Sequence, residues 1–245
     1  MRIFLFVLSL FSMIPLMADS LNVFVAASAR DAMTEVKDTF LKMHPNNQIE
    51  LSFGSSGKAY QQFKNGLKYD LFFSADAHYA NLIAKDGNAA GQPHVYALGV
   101  VALYALDKKY IEKGLEGLSE QKIAHFSIAN PKLAPYGAAA LEILQKSNLY
   151  DGMKDKIVQG ENISQALSFV ETGAAEVGLV AFSLISKGQK GHYAIVDSSL
   201  HSPLEQSFVV TKFAKDNALA KRFAEFVVSD EGRKIIQKYG FGIPQ

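Results

Sequence analysis

Downstream of residue 20, apolar and polar positions switch repeatedly between a period of two and a period of 3.6. Leu21 to Ala27 is a short apolar run, the pattern of a buried strand. Ala32, Met33, Val36, Phe40 and Met43 then recur at helical spacing, and Pro45 closes the segment. Ile49, Leu51 and Phe53 alternate as a strand, and Gly57 to Gly66 is predicted helical with Tyr60 and Phe63 on one side. Asp70 to Ser74 is a predicted strand and Ala77 to Lys85 a helix. A longer apolar run, Leu98 to Leu106, opens a second series: strand Ile123 to Ala129, helix Gly137 to Lys146, helix Ile163 to Thr172 and strand Val177 to Ala181. Tyr193 to Val196 and Gln206 to Thr211 are further strands. Ala218 to Tyr239 is helical, with a fresh start at Ser229-Asp230-Glu231. The order predicts an α/β protein with mainly parallel sheets flanked by helices. No low-complexity linker or tandem repeat divides it, so any two lobes should be joined by strands.

The first twenty residues obey a different rule. Met1-Arg2 is a positive start, Ile3 to Met17 is apolar apart from Ser9, Ser12 and Pro15, and Ala18-Asp19-Ser20 supplies small residues. This is the pattern of a secretory signal peptide over 1–20, cut after Ala18 or Ser20. The stretch is short for a membrane-spanning helix and Pro15 would interrupt one, which leaves an uncleaved anchor as the alternative. No later segment reaches 18 apolar residues.

Composition narrows the classes. The 245 residues are 49% hydrophobic and 20% charged, a globular profile with length for one large domain or two lobes. Twenty-five basic residues face 24 acidic ones, for a net charge of +1, and no basic run argues for nucleic acid. The chain has no cysteine, which excludes disulfides, thiolate metal sites, a cysteine nucleophile and a lipidated cysteine anchor. The expectation is a free exported protein, in the periplasm of a two-membrane bacterium.

Searches for catalytic motifs return little. Gly54-Ser55-Ser56-Gly57-Lys58 lacks the spacing of a phosphate loop and is not a nucleophile elbow. His44, His78, His94, His125, His192 and His201 form no metal-ligand pair. What recurs is a strand followed by a small polar helix start: Ser28 with Asp31 three residues on, Ser55-Ser56, Pro135-Tyr136-Gly137, and Gly160-Glu161-Asn162-Ile163-Ser164. Helix starts present main-chain N–H groups without intrahelical partners, and with the peptide dipoles they favour anions. In open α/β sheets ligands lie beyond the carboxyl ends of strands, where all four junctions fall. Taken singly, each serine reads as a helix cap, Ser28 with Asp31 as a capping box, and Asp76 as the cap of the following helix. Arg30 reads as solvent-facing, because a cation is not favoured at a helix start.

Taken together, the motifs resemble one family. Val-Phe-Val-Ala-Ala-Ser (23–28), Phe-Gly-Ser-Ser-Gly (53–57), Asp-Leu-Phe-Phe-Ser-Ala-Asp (70–76), Asn-Pro (130–131) with Pro-Tyr-Gly (135–137), Gly-Glu-Asn-Ile-Ser-Gln-Ala-Leu (160–167), the 170–181 segment and Lys-Tyr-Gly-Phe (238–241) resemble the periplasmic molybdate-binding proteins of bacterial ABC importers. The resemblance implies a two-lobed type II periplasmic binding fold with a ligand cleft, lobe 1 at 21–96 and 212–245 and lobe 2 at 97–211. It implies a binder rather than an enzyme, with no cofactor, taking molybdate and also tungstate. The partners it implies are an ABC permease and its ATPase, and the protein is expected to be a monomer. On that resemblance Ser28 and Ser56 donate hydroxyl and main-chain N–H to the oxyanion, and Tyr136 and Ile163 donate main-chain N–H from the other lobe. Molybdenum enters only as the oxyanion, through the same residues. Some members place a tyrosine donor where this chain has Ala181 followed by Phe182, and the Tyr136 hydroxyl is the candidate replacement. A sulfate or phosphate binder, an enzyme on the same fold with a desolvated carboxylate or histidine in the cleft, and a sensory or purely structural exported domain are the alternatives.

Overall fold

The structure, a computed structural model, describes residues 20–188 and 190–244. The expected signal peptide lies outside the described residues except for Ser20, which is the first paired residue of the first strand. The elements begin with β1 (Ser20–Ala26), α1 (Arg30–Met43), β2 (Gln48–Gly54), α2 (Ser56–Lys64), β3 (Leu71–Ser74), α3 (Ala77–Lys85) and β4 (His94–Leu98). They continue with β5 (Val101–Ala105), β6 (Phe126–Ala129), α4 (Pro135–Lys146), α5 (Tyr150–Met153), β7 (Ile157–Gly160), α6 (Ile163–Glu171), β8 (Val177–Ala181) and β9 (His192–Ile195). Last come β10 (Glu205–Val210), α7 (Ala218–Val227) and α8 (Asp230–Lys238).

These build two five-stranded sheets on one plan, β2-β1-β3-β10-β4 and β7-β6-β8-β5-β9. In the first, β1 pairs parallel with β2 and β3, and β10 runs antiparallel between β3 and β4. In the second, β6 pairs parallel with β7 and β8, and β5 runs antiparallel between β8 and β9. Four strands of each sheet therefore share a direction and one opposes them. The opposed strands, β5 and β10, are each the first strand after the chain crosses between sheets. A chain entering from the side where the other strands end must run backwards.

This pairing corrects the expected lobe limits. Residues 205–210, assigned by sequence to lobe 2, pair with β3 and β4 in the first sheet, so the return crossing falls between Ile195 and Glu205 rather than at 211/212. The first crossing is at Gly99-Val100 rather than at 96/97, because Ala97 and Leu98 still pair with β10. The apolar run Leu98 to Leu106 is accordingly split, and the Gly99 N–H donates to Leu204 O on the other crossing (2.8 Å). Both crossings are made by chain leaving or entering a strand.

Each sheet is covered on both faces. Val23, Val25, Leu71 and Phe73 point into one core with Met33 and Phe40 of α1 and Phe223 and Ile236 of α7 and α8. Phe24 and Phe72, one position along, point the other way onto Phe63, Ala80 and Ile83. The period of two thus divides consecutive apolar residues between two cores, which is why β3 is buried throughout. In the second lobe Leu103 and Ala105 face one core, while Ala102 and Tyr104 face the other. Sequence reading missed β4, β7 and α5. β7 is a four-residue edge strand with little burial, and α5 is a single turn. Among the described residues, no helix is long and apolar enough to cross a membrane.

Phe73 is the keystone of the first lobe: fully buried, its ring stacks on Phe208 (4.9 Å between centroids) and meets Tyr96 edge-on (5.4 Å). Phe73→Ala should cost about 3–5 kcal/mol of stability, read as a lowered urea midpoint.

Candidate functional site

All four helix starts singled out by sequence lie at the carboxyl ends of parallel strands, facing each other across the lobe boundary. Ser28 sits in a single 3-10 turn (Ala27–Ala29) between β1 and α1, and Ser56 is the first residue of α2 after β2. Tyr136 is in the first turn of α4, where Pro135 takes the position that needs no N–H donor, and Ile163 opens α6 after β7. The structure brings the four to one cavity with Ser55, Ala75 and Asn162. The cavity admits the centre of a water-sized sphere over only about 10 Å³, and none of the four residues is more than 3% exposed. That is room for one small group. Among the described residues, the main-chain N–H groups of Ser28, Ser56, Tyr136 and Ile163 carry no internal hydrogen bond.

The serine side chains are not caps. α1 starts at Arg30 and its N-cap residue, Ala29, makes no side-chain cap, so the expected Ser28–Asp31 capping box does not form. The Ser28 hydroxyl donates instead to Gln206 Oε1 (3.1 Å). Gln206 Nε2 donates to Ala75 O (2.9 Å), and Ala75 N–H donates to Ser56 Oγ (3.0 Å). Ser56 Oγ thereby accepts from behind, and its own hydrogen is left for the cavity. Ser55 Oγ is buried without a partner among the described residues. From the second lobe, Ser183 Oγ donates to Ser28 O (2.6 Å) and Ser164 Oγ to Ala27 O (3.4 Å). Asn162 caps α6, its Oδ1 accepting from Ser164 N and Gln165 N. Sequence reading missed Gln206 and Ser183. The available signal was a polar residue inside an otherwise apolar strand, as in Glu205-Gln206-Ser207-Phe208-Val209.

Ala181 ends β8 fully buried, and Phe182 packs on Tyr193 (5.1 Å between centroids); neither lines the cavity. The Tyr136 hydroxyl is buried with no hydrogen-bond partner among the described residues, beside Ser28, Val100 and Ser183. Burial pushes its pKa well above the phenol range, so it stays a neutral donor.

No charged side chain lines the cavity among the described residues. Asp76, next in chain to Ala75, has its pKa raised by burial against the opposing pull of Ser74 and the Tyr79 N–H. It caps α3 as expected, accepting from Tyr79 N (3.4 Å), and stands outside the lining. Arg30 is exposed as expected, with its guanidinium over the Phe53 ring at 5.0 Å. Two ion pairs join the lobes: Lys58–Glu161 at 2.9 Å and Lys187–Glu35 at 3.5 Å. Hydrogen bonds from Lys238 and Tyr239 hold Glu35 below the usual carboxylate range. Among the described residues no three His, Cys, Asp or Glu side chains gather as a cation site.

Two mixed sheets joined by two crossings, with helix starts from both lobes closing on one small uncharged cavity, define a two-lobed solute-binding protein. The chain belongs to the bacterial extracellular solute-binding proteins, whose family model matches residues 21–242. It is 34% identical over 230 residues to the molybdate-binding protein ModA of Azotobacter vinelandii, covering 92% of this chain and 91% of that one. The ModA of Rhodobacter capsulatus is also 34% identical, covering 93% and 90%. The solved periplasmic molybdate-binding protein of Azotobacter vinelandii superposes with a TM-score of 0.86 at 28% identity, covering 92% of this chain and all of that one. These relatives are binding proteins rather than enzymes.

Gly57 is where the lobes meet backbone to backbone, its N–H donating to Leu133 O at 2.8 Å. A Cβ there would lie 2.8 Å from that carbonyl and 2.5 Å from the Tyr79 hydroxyl. Gly57→Ala should hold the lobes apart, giving a larger radius of gyration by small-angle scattering than wild type at saturating ligand.

Proposed function

We propose that this protein binds molybdate, and tungstate with it, as a tetrahedral oxyanion held between the lobes, in the periplasm. It hands the anion to an ABC permease driven by its ATPase. Ser28, Ser56, Tyr136 and Ile163 are the proposed ligand residues. The observation that carries the reading is the convergence of these four helix starts, two from each lobe, on one small cavity that has, among the described residues, free N–H groups and no charged side chain. A tetrahedral dianion offers oxygens that only accept, and neutral O–H and N–H groups are its matching donors. Hydrogen bonds to a charged group contribute about 1.5–3 kcal/mol each. Four or five of them suffice to offset desolvation and reach the roughly 8 kcal/mol of micromolar affinity.

The same lining speaks to selectivity. Phosphate near neutral pH keeps a proton that needs an acceptor, and among the described residues no carboxylate lines the cavity to provide one. Sulfate satisfies the donor rule, so its rejection rests on the size of the closed cavity. Binding groups come from both lobes, so the anion favours the closed arrangement by population shift.

Titration calorimetry with molybdate, tungstate and sulfate tests the reading. Wild type should bind the first two at micromolar or tighter and sulfate at least about a hundredfold more weakly. Ser56→Ala removes a hydroxyl already turned to the cavity and should cost about ten- to a hundredfold. Ser28→Ala keeps the main-chain N–H and should cost less, about tenfold. Wild type that ignores molybdate, or prefers sulfate, overturns the assignment.

The Tyr136 hydroxyl is the proposed substitute for the donor absent at Ala181. Tyr136→Phe without ligand should melt no lower than wild type, because it deletes a buried hydroxyl that has no hydrogen-bond partner among the described residues. It should bind molybdate about tenfold more weakly. Unchanged affinity would assign that hydroxyl no role.

A further inference from the structure

We propose that Gln206 is the positioning residue of this site, setting the direction of both serine ligands from the second interlobe crossing; the proposal rests on the oxyanion reading above. Gln206 is fully buried, which costs free energy unless its carboxamide is satisfied. Both ends are used, and both uses lead to the cavity. Oε1 accepts from Ser28 Oγ at 3.1 Å, and Nε2 donates to Ala75 O at 2.9 Å. The N–H of the same alanine donates to Ser56 Oγ at 3.0 Å. One side chain therefore ties the turn after β1, the turn after β3 and the start of α2 into one unit.

The amide orientation has a single consistent choice. Ala75 O can only accept, so the NH₂ group faces it and the carbonyl faces Ser28. Ser28 must then place its hydrogen on Gln206. That commits the Ser28 hydroxyl hydrogen to Gln206 in this structure and leaves the Ser28 main-chain N–H free for the anion. Ser56 is set the opposite way, as a donor into the cavity. The two serines thus have unequal roles, and Gln206 imposes the difference.

The backbone provides for this placement. Gln206 is the second residue of β10, immediately after the return crossing, and the pairing of β10 with β4 slips register between Gln206 and Ser207. Such an irregularity re-aims a side chain relative to its strand. Leu204, just before it, accepts the Gly99 N–H of the other crossing at 2.8 Å. The residue that orders the serines therefore sits where the lobes hinge, so lobe geometry and ligand geometry are set at one place.

A double-mutant cycle by molybdate titration decides it. Gln206→Met, which keeps length and apolar bulk while removing both hydrogen bonds, should weaken binding about tenfold. In a Ser28→Ala background the same substitution should cost no more than about threefold, because half of what Gln206 holds is already gone. Ligand-free melting is measured alongside. If Gln206→Met does not fold, Gln206→Asn replaces it, with the same groups on a stem too short to bridge both partners. Unchanged or tighter binding by the folded variant overturns the proposal, as does a full tenfold loss that persists in the Ser28→Ala background, which marks Gln206 as structural only. Wild type that binds none of molybdate, tungstate and sulfate overturns the oxyanion reading itself and this proposal with it; wild-type binding together with an indifferent Gln206 overturns this proposal alone.

Discussion

A main-chain N–H at a helix start has no partner within its own helix, and this structure brings four such groups together around one small buried cavity. The rest of the molecule is arranged around that convergence. A helix start can point at a shared centre only if its preceding strand ends there, so the strands supplying the four starts must terminate at the lobe boundary. The two sheets do this by facing their carboxyl ends toward each other. The opposed strands β5 and β10 follow from the same constraint, because the crossings must also lie at the boundary. One topological plan, used twice, yields a cleft lined by donors on both sides.

Apart from the apolar contact of Ala26, Ala27 and Ala75 with the core of the second lobe, the lobes are joined by a small set of polar links. The two ion pairs between the lobes have exposed side chains on at least one partner and count for little in water. The direct links over the cavity are a handful of hydrogen bonds: Gly57 to Leu133, Ser183 to Ser28 and Ser164 to Ala27. Buried main-chain donors left unanswered cost free energy in the closed arrangement. On the proposed function this penalty has a use. An anion that answers all of them changes the balance between open and closed far more than surface pairs do, so closure reports occupancy.

Much of the architecture could be read from hydrophobic periodicity, because both sheets are covered on both faces and their strands stand out as apolar runs. β8 and α3 have the predicted bounds, and Ser229 caps α8 as its Ser-Asp-Glu signal implies. The edge strand β7 and the limits of the lobes were not legible, since partial burial leaves no alternation and strand order depends on pairing that sequence does not display. The helix starts around Ser28, Ser56, Tyr136 and Ile163 were visible as local chemistry, and a family resemblance singled them out. Local chemistry also misled at Ser28, where a serine three residues before an aspartate looks like a capping box. Its hydroxyl is claimed by Gln206, 178 residues away, and no local rule registers such a partner. Ser183 escaped for the same reason: its significance lies in reaching the Ser28 carbonyl from the other lobe.

On the proposed function, a cavity lining with no charged side chain among the described residues has a kinetic consequence for transport. A guanidinium or ammonium in the site would attract the anion whether the lobes were open or shut, because a full charge acts over several ångströms. Neutral donors act only at hydrogen-bond distance and only while aimed. With two starts on each lobe, opening removes half of them at once and lets water take their place. Affinity then belongs to the closed arrangement rather than to either lobe. On the proposed function, a permease that pries the lobes apart would have no residual charge to overcome, and the anion would leave because its proposed ligands have separated. A carrier that must bind tightly at low concentration and still release is served by geometry of this kind, where the same motion that exposes the ion also dismantles its site.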